Sequence, residues 1–152
     1  MIGLSTLNQE YQKKWASKQL NLPLPDDTVC LGQVIDGELR AVVVYCNFQG
    51  KSCQIHICSI GDHWMSKELV NAIFDYPFEK MGLKVILGVI AGNNEKSLKL
   101  SRKLGFKDVA KIPDAHDNGD LVILTMRPEY CRWLTLGARN GRRIFSTINN
   151  NG

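Results

Sequence analysis

The sequence predicts a mixed α+β domain in which helices flank a central, mostly antiparallel sheet that holds one parallel strand pair. Two hairpin signals in the first half predict an antiparallel meander. A helical repeat in the middle is followed by an apolar strand, and the next segments read as turn, helix, glycine and strand. At 152 residues and 44% hydrophobic content, the chain is long enough to bury one core.

The N-terminal segment is predicted to form a helix from Thr6 to Leu20. Its apolar side chains Leu7, Tyr11 and Trp15 recur at helical spacing, which is typical of a helix that covers a core. Pro23 follows the segment and cannot continue a helix.

Three strands are predicted next, from Val29 to Ile35, from Leu39 to Cys46 and from Cys53 to Ile60. Asp36-Gly37 joins the first two, because both central positions of a type I′ turn need positive φ. Gln49-Gly50 provides the second turn. The three strands should therefore form an antiparallel meander.

The segment from Trp64 to about Met81 is predicted to form an amphipathic helix, because its apolar residues recur at helical spacing. Pro77 is expected to kink this helix or to end its regular part early. Val85 to Ile90 is apolar at almost every position, as in a strand that is covered on both faces. Strand, helix and strand in this order imply a parallel pair with a right-handed crossover.

The last predicted elements are a helix from Asn94 to Leu104, which stops at Gly105, and two strands. The strands run from Phe106 to Ile112 and from Leu121 to Met126, with a polar loop from Asp114 to Asp120 between them. We expect residues 1–134 to form a single domain and residues 135–152 to form a basic, flexible tail.

Composition narrows the class of protein. No apolar run is long enough to span a membrane and no secretion signal precedes the first element, so a cytoplasmic protein is predicted. The five cysteines form no C-x-x-C pair and are predicted to be buried, reduced thiols. His56 and Cys53 should point to opposite faces of a strand, and no metal site is predicted. The net charge of +4 suits an anionic ligand.

A ligand of a sheet with parallel strands binds where those strands end. Here the predicted carboxyl ends are Ser59-Ile60-Gly61 and Ala91-Gly92-Asn93. A helix follows the first of them, and a helix N-terminus offers unpaired N–H groups to phosphate. We therefore expect a phosphate group to lie over Gly61 to Ser66.

One sequence block is more specific than the rest. Asn94 opens a helix, the small residue Ser97 follows three positions later, and Gly105-Phe106 stands eleven and twelve positions on. This block resembles the second conserved block of the GNAT superfamily of acetyl-coenzyme A dependent N-acetyltransferases. The loop from Gly61 to Ser66 resembles the phosphate loop of that superfamily less closely, since it has one glycine and a small residue five positions later.

Within the superfamily, Phe74 to Phe78, Gly82 to Val85 and Met126 to Leu134 are similar to the ribosomal-protein Nα-acetyltransferase branch, especially to its small bacterial and phage members. The likeness covers residues 29 to 134. It implies the GNAT fold and transfer of acetyl from acetyl-coenzyme A to a primary amine by direct attack in a ternary complex. The acceptor would be a protein N-terminus, a lysine or a small amine, with no metal, and relatives are commonly homodimers.

The resemblance also implies that acetyl-coenzyme A lies in a splayed gap between the two parallel strands. The positions that it implies for binding follow the first strand into the phosphate loop, or open the later helix. They are Ile57, Cys58, Ser59, Gly61, Asp62, His63, Trp64, Met65, Ser66, Asn93, Asn94 and Ser97.

For catalysis, His56 is the first candidate for the base that removes the amine proton, because histidine titrates in the useful range. His63 and Glu68 are the alternatives. Ser101 occupies the position at which many GNAT members have a tyrosine acid, and it would donate a hydrogen bond to the sulfur or simply allow close packing. Asn94 would bind the pantetheine amides or cap the helix.

Two other functions are open at this point. A coenzyme A-binding module, acting as a sensor or as an inhibitor of a partner protein, would fit the altered phosphate loop and Ser101. A nucleic-acid contact would use Arg139, Arg142 and Arg143 in the basic tail. The aromatic candidates for an acceptor pocket are Trp15, His63, Trp64 and Trp133.

Overall fold

The computed structural model describes residues 1–135. They form a seven-stranded sheet with the order β1-β2-β3-β4-β5-β7-β6. The strands are β1 (Ile2–Ser5), β2 (Val29–Ile35), β3 (Glu38–Gln49), β4 (Ser52–Ser59), β5 (Val85–Ala91), β6 (Lys107–His116) and β7 (Gly119–Met126). The α-helices are α1 (Gln9–Leu20), α2 (Lys67–Asp75) and α3 (Glu95–Leu104).

The strand pairing confirms the predicted fold class. Within residues 1–135, β4 and β5 are the one pair of neighbouring strands that runs parallel, and the other neighbours are antiparallel. The predicted turn between β2 and β3 is also confirmed, because Asp36 has φ 52° and Gly37 has φ 84°.

Helices cover both faces of the sheet. One face packs under α1 around a small apolar cluster that includes Ala16, Val42 and Cys58. The other face holds the larger core, in which α2 and α3 contribute Leu69, Phe74 and further apolar side chains. Since β4–α2–β5 and β5–α3–β6 both advance across the sheet in the same direction, right-handed crossovers place α2 and α3 together.

The N-terminal prediction was wrong in two respects. A strand, β1, precedes the helix, and α1 begins at Gln9. The predicted apolar face is not the buried one, since Leu7 is 48% exposed and Tyr11 is 61% exposed, whereas Gln12 is buried. The Gln12 Nε2 donates to the carbonyls of Ser5 (3.1 Å) and Leu7 (2.8 Å), so two hydrogen bonds hold this helix face inward.

The second helix begins later than predicted. Ser66 is the N-cap, with its hydroxyl accepting from the Leu69 N–H at 3.1 Å, and α2 starts at Lys67 rather than at Trp64. The predicted interruption at Pro77 is confirmed, because α2 ends at Asp75 and passes into a five-residue π-helical turn, Tyr76–Lys80.

The last two strands are longer than predicted. β6 continues to His116 and β7 already begins at Gly119, so the expected polar loop from Asp114 to Asp120 is instead the end of a hairpin. The register shifts between Ile112 and His116. Such an irregularity lets polar residues continue a strand beyond its apolar part.

All five cysteines lie among the described residues and are buried thiols outside disulfide bonds. Among the described residues, no helix is long and apolar enough to cross a membrane. The predicted basic tail lies outside the described residues, except for Thr135, whose N–H donates to Asp75 Oδ1 at 3.2 Å.

Candidate active site

The parallel strands part after three residue pairs. Ser52, Cys53 and Gln54 pair with Val85, Ile86 and Leu87, and the register ends there. On its other edge β4 stays paired with β3 as far as Ser59, and β5 stays paired with β7 as far as Ala91. The predicted splay is confirmed: beyond Gln54 and Leu87, two strand edges face each other without a ladder between them.

A cavity of about 400 Å³ lies at this opening. Its walls come from the parted strands, from α3, from the end of α1 and from the β6–β7 hairpin. The lining residues are Leu20, Asn21, Leu22, Ile55, His56, Ile57, Gly88, Val89, Ile90, Ala91, Asn94, Ser97, Leu100, Ser101, Leu104, Phe106 and His116. The predicted residues His56, Ile57, Asn94, Ser97 and Ser101 are thus brought to one cavity.

His56 lies on β4, opposite Val44 of β3. Val44 belongs to the cluster under α1, and directly opposed residues of antiparallel strands share a face. His56 therefore faces the α1 side, whereas Cys53 and Ile55 belong to the larger core on the other face. Desolvation by burial lowers the pKa of His56 below its usual 6.5, so the imidazole is neutral over more of the pH range.

The first turn of α3 lies beside the cavity. Asn94 Oδ1 accepts from the Ser97 N–H at 3.2 Å, which is the capping role left open by the sequence. Ser101 follows one turn beyond Ser97 on the same helix face and also lines the cavity.

The predicted phosphate loop, Gly61 to Ser66, contributes no side chain to the cavity lining. Gly61 has φ 74° and His63 has φ 60°, so the chain turns sharply before α2. Asp62 and His63 are exposed, while Trp64, Met65 and Ser66 are half-buried. The loop lies at the carboxyl end of β4, where the sequence placed it.

A buried amide holds this loop. Gln33 on β2 is 0% exposed, donates through Nε2 to the Trp64 carbonyl, and accepts from the Ser66 hydroxyl at 2.5 Å. Gln33 was not among the residues predicted from the sequence. Its signal was a single long polar side chain in an otherwise apolar strand, because such a residue needs a hydrogen-bonding partner.

Other predicted positions lie elsewhere. Cys58 is buried on the α1 face, with its Sγ donating to the Val42 carbonyl at 3.5 Å. Asn93 lines a separate groove beside β6. None of the four aromatic candidates lines the cavity; Trp133, for example, donates to the Leu104 carbonyl at 2.7 Å.

Two parts of the cavity wall were missed. Leu20, Asn21 and Leu22 come from the end of α1, and His116 comes from the tip of the β6–β7 hairpin. His116 Nδ1 accepts from the Asn118 N–H at 3.2 Å, so a neutral ring carries its proton on Nε2. Both segments are far from the gap in sequence, and no local pattern indicated them.

The lining is apolar with a few polar groups. Two imidazoles, two hydroxyls and two side-chain amides stand among aliphatic side chains, next to strand edges with backbone donors and acceptors. Among residues 1–135, no cluster of three His, Cys, Asp or Glu side chains has the arrangement of a metal site. This arrangement can hold an extended chain between the strands and handle a proton at an imidazole.

The architecture defines the class. A mostly antiparallel seven-stranded sheet that opens at a single parallel pair is the GNAT fold, and solved structures of N-acetyltransferases share it.

A variant of spermidine N-acetyltransferase SpeG from Vibrio cholerae superimposes with a TM-score of 0.70 at 15% identity, over 88% of this chain and 96% of that one. A putative phosphinothricin N-acetyltransferase gives a TM-score of 0.60 at 18% identity, over 84% and 98%. No family model matches the chain, and no curated protein matches it.

Proposed function

We propose that this protein is an acetyl-coenzyme A dependent N-acetyltransferase that acts on a primary amine. The observation that carries the proposal is the opening between β4 and β5, because it combines two unpaired strand edges with a cavity of about 400 Å³. An extended ligand with amide groups can pair with such edges as a further strand would. The pantetheine arm of coenzyme A has that chemistry.

The phosphate end of the co-substrate is assigned to the loop from Gly61 to Ser66. That loop leads from the open end of β4 into the N-terminus of α2, where N–H groups and the helix dipole favour an anion. Arg40 supports the assignment, because its Nη1 lies 3.7 Å from the place of a Cβ at Gly61. Its Nε is buried without a hydrogen-bond partner among the described residues.

The reaction follows from the groups at the cavity. A neutral amine attacks the thioester carbonyl, the C–N bond forms, the C–S bond breaks, and the sulfur takes up a proton. Neutral His56 is the proposed base, since its pKa is lowered by burial. A backbone N–H between Ile57 and Ser59 would stabilise the oxyanion, and the Ser101 hydroxyl would donate a hydrogen bond to the departing sulfur.

The acceptor, the origin, the oligomeric state and the location are each proposed on separate grounds. A protein N-terminus as acceptor, and a bacterial or phage origin, are proposed from the residue likeness alone. A homodimer is proposed from the residue likeness, and assembly of identical copies is known for a related fold, since the Vibrio cholerae spermidine enzyme has a dodecameric structure. A cytoplasmic location is proposed because the five cysteines are buried thiols outside disulfide bonds.

Thermal unfolding with acetyl-coenzyme A tests the proposal directly. A ligand that binds only the native state at about 100 times its Kd stabilises it by about 2.7 kcal/mol. Ser97→Trp should abolish the rise in Tm, because the larger side chain would fill the cavity that Ser97 lines. Lys96→Trp, one residue away, exposed and outside the lining, should keep it. No rise in Tm for the unaltered protein at millimolar ligand would refute the proposal.

Turnover separates the second candidate function. Serine at position 101 is a weak acid, which favours a coenzyme A-binding module that acts as a sensor or as an inhibitor of a partner protein. Mass spectrometry of the amine after incubation with acetyl-coenzyme A decides between the two. Binding together with acetylated product supports the enzyme, and binding without product from any amine supports the module.

A further inference from the structure

Within residues 1–135, the side chains that line the cavity carry no permanent charge. Among the described residues that form it, there is no Asp, Glu, Lys or Arg. The titratable side chains are His56 and His116, and both are neutral or cationic groups. The cavity therefore offers no side-chain anion to a bound cation.

The side chains on the α1 side of the cavity differ from those on the α3 side. On the α1 side of the sheet, the end of α1 presents Leu20, Asn21 and Leu22, and β4 presents His56. These groups form the wall on the side away from Ser97 and Ser101 of α3. An acceptor that approaches His56 along this wall meets aliphatic side chains and one amide.

A wall without an anionic side chain favours an amine that carries no charge. An acceptor amine must lose its proton before it attacks, so a monoamine enters the reaction without charge. A diamine or polyamine still carries at least one ammonium group. An ammonium group that leaves water for a cavity without a carboxylate loses hydration and gains no ion pair in return.

We infer that the acceptor is a primary amine with a single ionisable group and an apolar or neutral substituent, and that polyamines are poor substrates. The inference rests on the proposed function, because it names the substrate class of the same cavity. An α-amine next to an apolar side chain belongs to this class, and so does a simple alkylamine. Spermidine, which the name of the structurally similar Vibrio cholerae enzyme specifies, does not.

A matched pair of acceptors tests the inference. n-Butylamine and 1,4-diaminobutane have the same carbon chain and differ in one amino group. With saturating acetyl-coenzyme A at pH 8.5, we expect kcat/KM for n-butylamine to exceed that for 1,4-diaminobutane at least tenfold. Equal values, or a preference for the diamine or for spermidine, would overturn the inference.

A designed carboxylate sharpens the test. Asn21→Asp places an anion at the cavity wall, and the left-handed backbone at this position, φ 51°, accepts Asp as it does Asn. We expect it to raise the ratio of diamine to monoamine kcat/KM about threefold or more. Gln19→Glu adds the same charge to α1 outside the lining and should leave the ratio unchanged. Leu22→Asp is the second variant if Asn21→Asp lowers Tm.

The outcomes separate this inference from the proposed function. Diamine acetylation at the higher rate leaves the N-acetyltransferase in place and removes only the acceptor class. Acetyl-coenzyme A binding without acetylation of either amine also refutes the acceptor class. Failure to bind acetyl-coenzyme A removes the proposed function itself. An unchanged ratio of diamine to monoamine kcat/KM in both Asn21→Asp and Leu22→Asp contradicts the assignment of this wall to the acceptor.

Discussion

The two edges of β4 behave differently. Toward β3 the strand is paired from Gln54 to Ser59, and toward β5 its pairing stops at Gln54. The residues are the same on both edges, so strand propensity does not decide which edge closes. β5 is paired with β7 from Ile86 to Ala91 on its far side. The sheet is therefore two completed parts joined over three residue pairs, and the cavity occupies the place of the missing ladder.

The largest expected effect is at the open edge. His56→Gln removes the proposed base, and kcat should fall about 100-fold to 10,000-fold while Tm changes little. Because burial lowers the pKa of His56, the acid limb of kcat in the unaltered protein should lie below pH 6.5 and should vanish in the variant. A larger loss of kcat for His63→Gln would show that the base is His63, in the exposed loop before α2.

The next effect concerns the loop that leaves the open end of β4. Gln33→Ala removes the buried hydrogen bonds to Trp64 and Ser66 and leaves a void, so the free energy of unfolding should fall by about 2–3 kcal/mol. Affinity for acetyl-coenzyme A should fall with it. Exposed Gln49→Ala at the closed edge should change stability by less than about 0.5 kcal/mol. Equal effects would show that Gln33 does not hold the loop.

A smaller effect is expected where α2 ends. Asp75 is 1% exposed, and desolvation raises its pKa from 3.8 to about 6. The native state therefore binds this proton more tightly than the unfolded chain, so stability from this group is complete below pH 3.8 and is lost as pH rises through about 6.

Asp75→Asn keeps an acceptor for the Thr135 N–H and removes the charge. At pH 7 it should stabilise the protein by about 1–3 kcal/mol, and the gain should disappear near pH 4. Chemical denaturation at the two pH values measures this difference. A loss of stability at pH 7 would show that the ionised carboxylate is needed.

The smallest effect is expected at the closed part of the sheet. Gly37 has φ 84° with nothing within 4 Å of an added Cβ, so Gly37→Ala should cost about 1 kcal/mol through backbone strain alone. Gly3→Ala, with equal space and no positive φ, should cost less. Acetyl-coenzyme A affinity should stay constant in both, and a change in it would mean that the two parts of the sheet are coupled.

Local chemistry explains which features the sequence could predict. The Asp36-Gly37 turn and the interruption of the helix at Pro77 each follow from a few neighbouring residues, and the parallel pair follows from the order strand, helix, strand. The block from Asn94 to Phe106 predicted the GNAT fold in another way, through its resemblance to the second conserved block of that superfamily.

The remaining features depend on contacts between distant segments. Periodicity favoured Leu7 and Tyr11 as the inner face of α1, but Gln12 takes that place because it bonds the carbonyls of Ser5 and Leu7. His116 and the end of α1 reach the cavity only through the folded hairpin and helix. The roles of the site residues stay predictions, which the variants above test.

The buried cysteines have a practical consequence for kinetics. Burial raises the pKa of Cys30 and Cys46 to about 11 and that of Cys53 and Cys58 to about 12, and Cys131 is also buried. Thiols react with disulfide reagents as thiolates. A colorimetric disulfide reagent should therefore react very little with the cysteines of this protein. Its signal in a kinetic assay would report the coenzyme A thiol that the reaction releases.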